Sequence, residues 1–157
     1  MPRTGKDHHI PPKKSKYHAN LIALKQAGVR SIVAVNAVGG ITARMAPQQL
    51  CLPDQIVDYT YGREHTFFDG AQDRVSHIDF TMPYHPNVRN KLLEAATLLS
   101  LPVIDGGVYG ATQGPRLETA AEINKLERDG CDLVGMTGMP EAMLARALGL
   151  EYVSLAL

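Results

Sequence analysis

The chain has 157 residues, and its 16 basic and 16 acidic side chains give a formal net charge of zero. That length suits one domain, residues 1–157, which buries roughly 68–70% of its unfolded surface without disulfide or metal staples. A neutral chain with no basic stripe argues against a nucleic-acid partner, because phosphate contacts dominate that affinity. Cys51 and Cys131 are too few and too far apart for a disulfide framework or a zinc site, and are expected to be reduced thiols of a cytoplasmic protein. Met1 to Ile10 holds charges and no apolar run, so no signal peptide is expected. No apolar stretch approaches the ~20 residues that cross a bilayer, so no membrane partner is expected.

In chain order, Lys13-Lys14-Ser15-Lys16 reads as a solvated helix start. Ser15 to Ala27 then predicts a helix with Tyr17, Leu21 and Leu24 on one face, ended by Gly28. Ser31 to Val35 is a continuous apolar run, the pattern of a strand covered on both faces. Asn36 to Gly40 is the turn after it, and Leu52 to Tyr59 predicts a further strand. Thr60 to Met82 reads as a long loop, a length that tends to be functional. Pro86 to Leu99 predicts a helix with Val88, Leu92, Leu93, Ala96 and Leu99 inward. Val103 to Thr112 contains a strand, Glu118 to Arg128 a helix stopped by Asp129-Gly130, and Cys131 to Met136 a strand. Met139 to Leu148 predicts a helix with Pro140 in its first turn, and Glu151 to Leu157 a last strand. Alternating strands and helices predict an α/β fold with a largely parallel sheet. Both ends fall inside apparent elements, so the chain is expected to be truncated at both ends or completed by another chain.

Three strings carry chemistry. In Gly107-Val108-Tyr109-Gly110-Ala111-Thr112-Gln113-Gly114-Pro115-Arg116-Leu117-Glu118-Thr119, a strand is followed by a Gly-Pro break and a carboxylate opening a helix. Leu117 offers a flat apolar surface and Glu118 an acceptor, the pairing that a planar heterocycle with a ring N–H requires. Asn36-Ala37-Val38-Gly39-Gly40 directly follows a strand, and its glycines let a ligand approach the backbone at the strand's carboxyl end. It is neither a Walker loop nor a dinucleotide fingerprint, and a plain βα turn is an equal reading. Gly135-Met136-Thr137-Gly138-Met139-Pro140-Glu141 joins a strand to a helix start, where N–H groups, the helix dipole and the Thr137 hydroxyl favour an anion. An ordinary capped start with Glu141 answering the dipole is again an equal reading. Asp7-His8-His9 is not expected to hold a metal, because no strand precedes it and no further ligand cluster follows.

These strings, in this order, resemble the trimeric purine nucleoside phosphorylases, enzymes that split nucleosides with inorganic phosphate. The closest likeness is to the bacterial methylthioinosine and methylthioadenosine branch, and it covers the whole chain. The resemblance implies a nucleoside phosphorylase-like mixed, largely parallel sheet flanked by helices. It implies that Arg3, Ala37 (through its N–H) and Thr137 bind phosphate. Ala37, Val38 and Gly39 would line the nucleoside pocket, with Asn36 shaping that turn. Met136 would contact the ribose, and Leu117 and Glu118 the base. Glu118 would favour 6-oxopurines, whose N1–H a carboxylate accepts. His77 would cross a subunit interface to cover the 5′ side of a neighbour's ribose, which implies a homotrimer. No single catalytic acid or base, no cofactor and no metal is implied; phosphate is a co-substrate.

The match has departures. Thr4 stands where the family's Arg-His-Gly string has His, and Lys13, Ser15, Lys16 and His18 depart from its Pro-Pro-His-Xaa-Val-Asn-Tyr-Arg pattern. Gly62 to Gly70 is similar to the family's variable loop and is given no catalytic task. The family's Gly-rich phosphate loop would precede Arg3, and its Asp or Asn for the purine N7 region would follow Leu157. Weak or absent turnover by this chain alone is therefore expected, and a non-catalytic nucleoside-binding or assembly subunit is the rival reading.

Overall fold

The computed structural model describes residues 3, 5, 7, 9–67 and 77–157. Thr4, His8 and the part of the predicted loop at 68–76 lie outside the described residues. The described elements are helices α1 (Tyr17–Gln26), α2 (Pro86–Leu98), α3 (Ala120–Arg128) and α4 (Glu141–Ala147). The strands are β1 (Ser31–Asn36), β2 (Gly39–Gly40), β3 (Leu50–Leu52), β4 (Gln55–Asp58), β5 (Val103–Asp105), β6 (Val108–Ala111), β7 (Leu133–Gly135) and β8 (Glu151–Ala156), with a short 3₁₀ turn at Pro12–Lys14.

The class is α/β and most pairings are parallel, as predicted, but the strands form two sheets. One runs β1-β8-β3-β5 and the other β2-β7-β6-β4. Strands β1 and β8 pair in parallel from Ser31 opposite Glu151 to Asn36 opposite Ala156. Strand β6 lies parallel to β4 and to β7. The antiparallel contacts are β2 with β7 and a single bridge between Cys51 of β3 and Ala156 of β8.

Two predicted strands are each split between the sheets, for a local reason. Leu52 to Tyr59 breaks at Pro53, which has no N–H for a ladder, and the Asp54 side chain accepts instead from the Gly107 amide at 2.8 Å. Val103 to Thr112 breaks at Gly106 and Gly107, whose φ values of 86° and 135° only glycine adopts freely. The two breaks meet through that bond, and at this one joint both strands pass from one sheet to the other.

The core is one main cluster in which Tyr109, Leu133, Leu144 and Val153 are fully buried, bounded by Tyr17 and Leu21 of α1. Three expectations need correction. Strand β1 is not covered on both faces among the described residues: Ala34 and Asn36 are buried, but Val33 and Val35, which alternate to the opposite face, are exposed. Leu99 does not face inward; it caps α2 and lies in solvent, while Val88 and Leu92 pack against the core. Glu118 does not open α3. The helix starts at Ala120, with Thr119 accepting from the Glu122 amide at 3.2 Å and Glu122 accepting from the Thr119 amide at 2.7 Å. Glu118 thus precedes the cap, on the loop that leaves β6.

Candidate functional site

The carboxyl ends of β1, β6 and β7 open on one cleft of about 830 Å³. Its walls include Ala37, Val38 and Gly39 after β1, Leu117 and Glu118 after β6, and Met136 and Thr137 after β7, with Arg3 at one side. A surface for a flat group, a sulfur, a hydroxyl and a guanidinium thus share one volume, as the three-string reading requires. His77 is exposed and does not line this cleft.

Asn36 holds the first wall to the third. It is buried, donates through Nδ2 to Ser154 Oγ at 2.6 Å and to the Ala34 carbonyl at 3.2 Å, and accepts through Oδ1 from Thr137 Oγ1 at 3.0 Å. Val38 continues the tie, its amide donating to the Leu157 carbonyl at 3.0 Å, and Gly39 pairs with Val134 of β7. The Asn36 to Gly40 turn is therefore the seam between the two sheets. Gly135 is forced by packing: a Cβ there would fall inside the Tyr109 hydroxyl and 3.1 Å from a Val38 methyl. Gly114 has φ 59°, and a Cβ on it would fall inside the Met136 thioether. Met136 therefore lies directly on the loop that carries Glu118.

Glu118 accepts from Thr112 Oγ1 at 2.7 Å through Oε1. That bond fixes the carboxylate and leaves its other oxygen for a ligand donor. Leu117 is largely exposed on the cleft wall, ready for an apolar face.

Arg3 enters from the N-terminal segment, which Ser15 anchors by donating to the Arg3 carbonyl at 3.1 Å. The Arg3 Nε donates to Glu141 Oε1 at 2.7 Å, and Nη1 reaches the Val35 carbonyl at 3.3 Å. Burial alone would lower the Arg3 pKa, but the hydrogen bond and charge of Glu141 outweigh it and raise the pKa. Glu141 also accepts from the Tyr152 hydroxyl at 2.7 Å. Burial, together with the Glu141 charge, pushes the Tyr152 pKa well up, so Tyr152 keeps its proton. The carboxylate at the start of α4 thus orients a cation at the cleft as well as facing the helix N-terminus. Thr137 lies in the loop before α4, so any anion there meets loop groups and a hydroxyl rather than the helix end itself.

Sequence reasoning passed over several participants. His9, Pro11 and Val35 also line the cleft. Arg63, on the loop that was given no catalytic task, is buried and holds two of the three walls. An arginine between Gly62 and Glu64 in an aperiodic loop carries no spacing signal that would have marked it.

The phosphorylase superfamily model matches residues 1–157. With this site on that fold, the chain belongs to the phosphorylase superfamily. It is 54% identical over 157 residues to the probable S-methyl-5′-thioinosine phosphorylase of Xanthomonas campestris pv. campestris, an alignment covering 100% of this chain and 63% of that protein. It is 46% identical over 162 residues to the 6-oxopurine nucleoside phosphorylase of Pyrococcus furiosus, covering 100% of this chain and 61% of that one. Among solved structures, the methylthioadenosine phosphorylase from Schistosoma mansoni in complex with tubercidin matches with a TM-score of 0.94 at 34% identity, covering 100% of this chain and 62% of that one. The chain therefore spans about three-fifths of the length of these relatives.

Proposed function

We propose that this chain carries the substrate cleft of a purine nucleoside phosphorylase, acting on S-methyl-5′-thioinosine or methylthioadenosine to give free purine and a ribose 1-phosphate derivative. The convergence of Glu118, Met136, Thr137 and the Ala37 turn on one cleft is the observation that supports it. In this reading Leu117 lies against the base and the free oxygen of Glu118 accepts a ring N–H. Met136 contacts the ribose, and Val38 and Gly39 close the nucleoside pocket. Arg3, the Ala37 amide and Thr137 hold phosphate below the sugar.

In the reaction, a phosphate oxygen forms a bond to the anomeric carbon as the carbon–nitrogen bond to the base breaks. The base leaves with the electron pair and takes up a proton. Charge builds on the sugar in an oxocarbenium-like transition state, by analogy with glycoside hydrolysis. The side chains contribute by placing the two reactants together and by stabilising charge on the base, and no cofactor or metal takes part. A carboxylate facing the base favours purines with an N1–H, because the opposite edge would leave Glu118 buried against a lone pair. The setting is purine salvage in the cytoplasm, by a homotrimer in which His77 covers the 5′ group of a neighbouring subunit's substrate.

The test is calorimetric titration of the chain with hypoxanthine, with and without inorganic phosphate, in wild type and Glu118→Gln. We expect phosphate to strengthen hypoxanthine binding, and Glu118→Gln to weaken it about 10- to 100-fold, the worth of a charge-assisted bond. Hypoxanthine binding that is indifferent to phosphate would favour a non-catalytic nucleoside-binding or assembly subunit. Wild-type affinity in Glu118→Gln would overturn the assignment of the base site.

A further inference from the structure

Arg63 uses all of its five N–H groups on two walls of the cleft. Its Nε donates to Gln113 Oε1 at 3.1 Å, and its Nη2 to the Thr112 carbonyl at 3.2 Å and the Gln113 carbonyl at 2.9 Å. Its Nη1 donates to the Met136 carbonyl at 2.8 Å and to the Met139 carbonyl. The first three acceptors lie on the exit from β6, at the root of the segment that carries Leu117 and Glu118. The last two bracket Thr137. One planar group therefore sets the separation of the two walls.

The chemistry of the acceptors makes this more than a packing contact. All five are neutral carbonyl oxygens from two separate loops. Carbonyl dipoles aimed at one point repel each other unless a cation sits there. Only a fork of coplanar donors matches five acceptors at once; an ammonium has three donors on a single atom. The guanidinium is itself held in place. The Tyr17 ring lies 6.0 Å from it, and the Tyr61 amide shares Gln113 Oε1 at 3.2 Å. His18 fixes the same loop at the Thr66 carbonyl, 2.8 Å away.

We propose that Arg63 is a positioning residue that couples the Glu118 segment to the Met136–Thr137 loop, so that the two walls open and close as one unit. With the ligands proposed above, on which this part rests, the purine and phosphate sites are linked through it, and binding at one tightens the other.

The experiment uses the whole 157-residue chain, as wild type, Arg63→Lys and Arg63→Ala, with amide hydrogen exchange and hypoxanthine titration with and without inorganic phosphate. Exchange at Thr112–Gly114 and at Met136–Gly138 is expected to rise together in both variants, while β1 and β8 keep their protection. The phosphate-dependent gain in hypoxanthine affinity, expected at about fivefold or more in wild type, is expected to vanish in both variants. Free guanidinium ion at millimolar level is expected to restore both readings in Arg63→Ala. In wild type, where folding is not at issue, the Arg63 Nε–H resonance is expected to move on addition of either ligand.

Loosening of one segment alone, or of neither, in folded Arg63→Lys would overturn the coupling. So would an unmoved Arg63 resonance in a wild type that binds both ligands. A wild type that binds neither hypoxanthine nor phosphate, with both segments still loosening together in the variants, would sink the purine reading and leave the coupling standing.

Discussion

Replacing Gly114 by alanine tests how the cleft is assembled without requiring any ligand. Gly114 has φ 59°, where an L-residue costs about 1–2 kcal/mol. The new methyl would fall inside the Met136 thioether, 3.1 Å from its Cγ and 3.3 Å from its Cε. Met136 is a flexible, half-buried side chain on the cleft, so it can swing aside at the cost of a shifted rotamer, about 0.5–1.5 kcal/mol. The stiffer unfolded chain offsets about 0.4–1 kcal/mol. The net expectation is a loss of about 1–2.5 kcal/mol, a measurable part of the 5–15 kcal/mol typical of a domain. Urea unfolding of wild type, Gly114→Ala, Met136→Ala and the double variant measures it. The clash component vanishes when Met136 is shortened, so the double variant should be more stable than the sum of the single changes predicts, by about 0.5–1.5 kcal/mol. Additive losses would show that Met136 does not rest on Gly114. A Gly114→Ala chain as stable as wild type would refute the strain argument as well.

Glu141→Ala leaves the Arg3 guanidinium and the Tyr152 hydroxyl without their shared acceptor. A loss of about 3–5 kcal/mol is expected by urea unfolding, and a change within about 0.5 kcal/mol, as at an open surface position, would contradict the network. Acid should loosen the chain through Asp132 and Glu122. Burial would raise the Asp132 pKa, but the Val108 amide, Arg44 and Thr42 bind the carboxylate and lower it. The Arg116 guanidinium and the Thr119 amide hold Glu122 at about 2. Both pKa values are depressed in the folded state, so their stabilisation is complete above the ordinary carboxylate range and fades as pH falls through it toward about 2. Melting temperatures across that window should fall less steeply in Asp132→Asn than in wild type; parallel curves would count against the assignment.

Most of the elements were legible because their signals are local. The 3.6-residue spacing of Tyr17, Leu21 and Leu24 marked α1, and Asp129-Gly130 marked the end of α3. The split of two strands between sheets was not legible, because neither Pro53 nor Gly106-Gly107 signals a change of sheet by itself; only their pairing through Asp54 makes them one joint. The exposure of Val33 and Val35 was missed because an apolar run fixes the strand and not its neighbours. At the site, the strings around Ala37, Glu118 and Met136 were visible as glycine-punctuated strand exits, and the fold brings them together. The ties between them were not visible. Asn36 to Thr137 and Arg63 to Met136 join residues far apart in sequence, and neither uses a spacing that a linear pattern records.

In the proposed reading, those ties also set how a bound phosphate and the Glu118 carboxylate would share one cleft. Glu118 and a bound phosphate are both negative, and at close range in a partly dry site they repel strongly. The arrangement separates them. Met136, a neutral side chain, rests on Gly114 at the Glu118 end and leads by one residue to Thr137 at the other. Arg3 lines the cleft, Arg63 spans both walls through the Thr112 and Gln113 carbonyls as well as those of Met136 and Met139, and Arg116 feels the Glu118 charge. The Thr137 hydroxyl already donates to Asn36, so what it presents to the cleft is lone pairs. A phosphate at that position must bring a hydroxyl of its own or turn the Thr137 hydroxyl away from Asn36. In the first case the anion must be a protonated form, monohydrogen or dihydrogen phosphate, and its proton would point at Thr137. A sugar lying along Met136 would then have the nucleophile at one end and the base, held by Glu118, at the other.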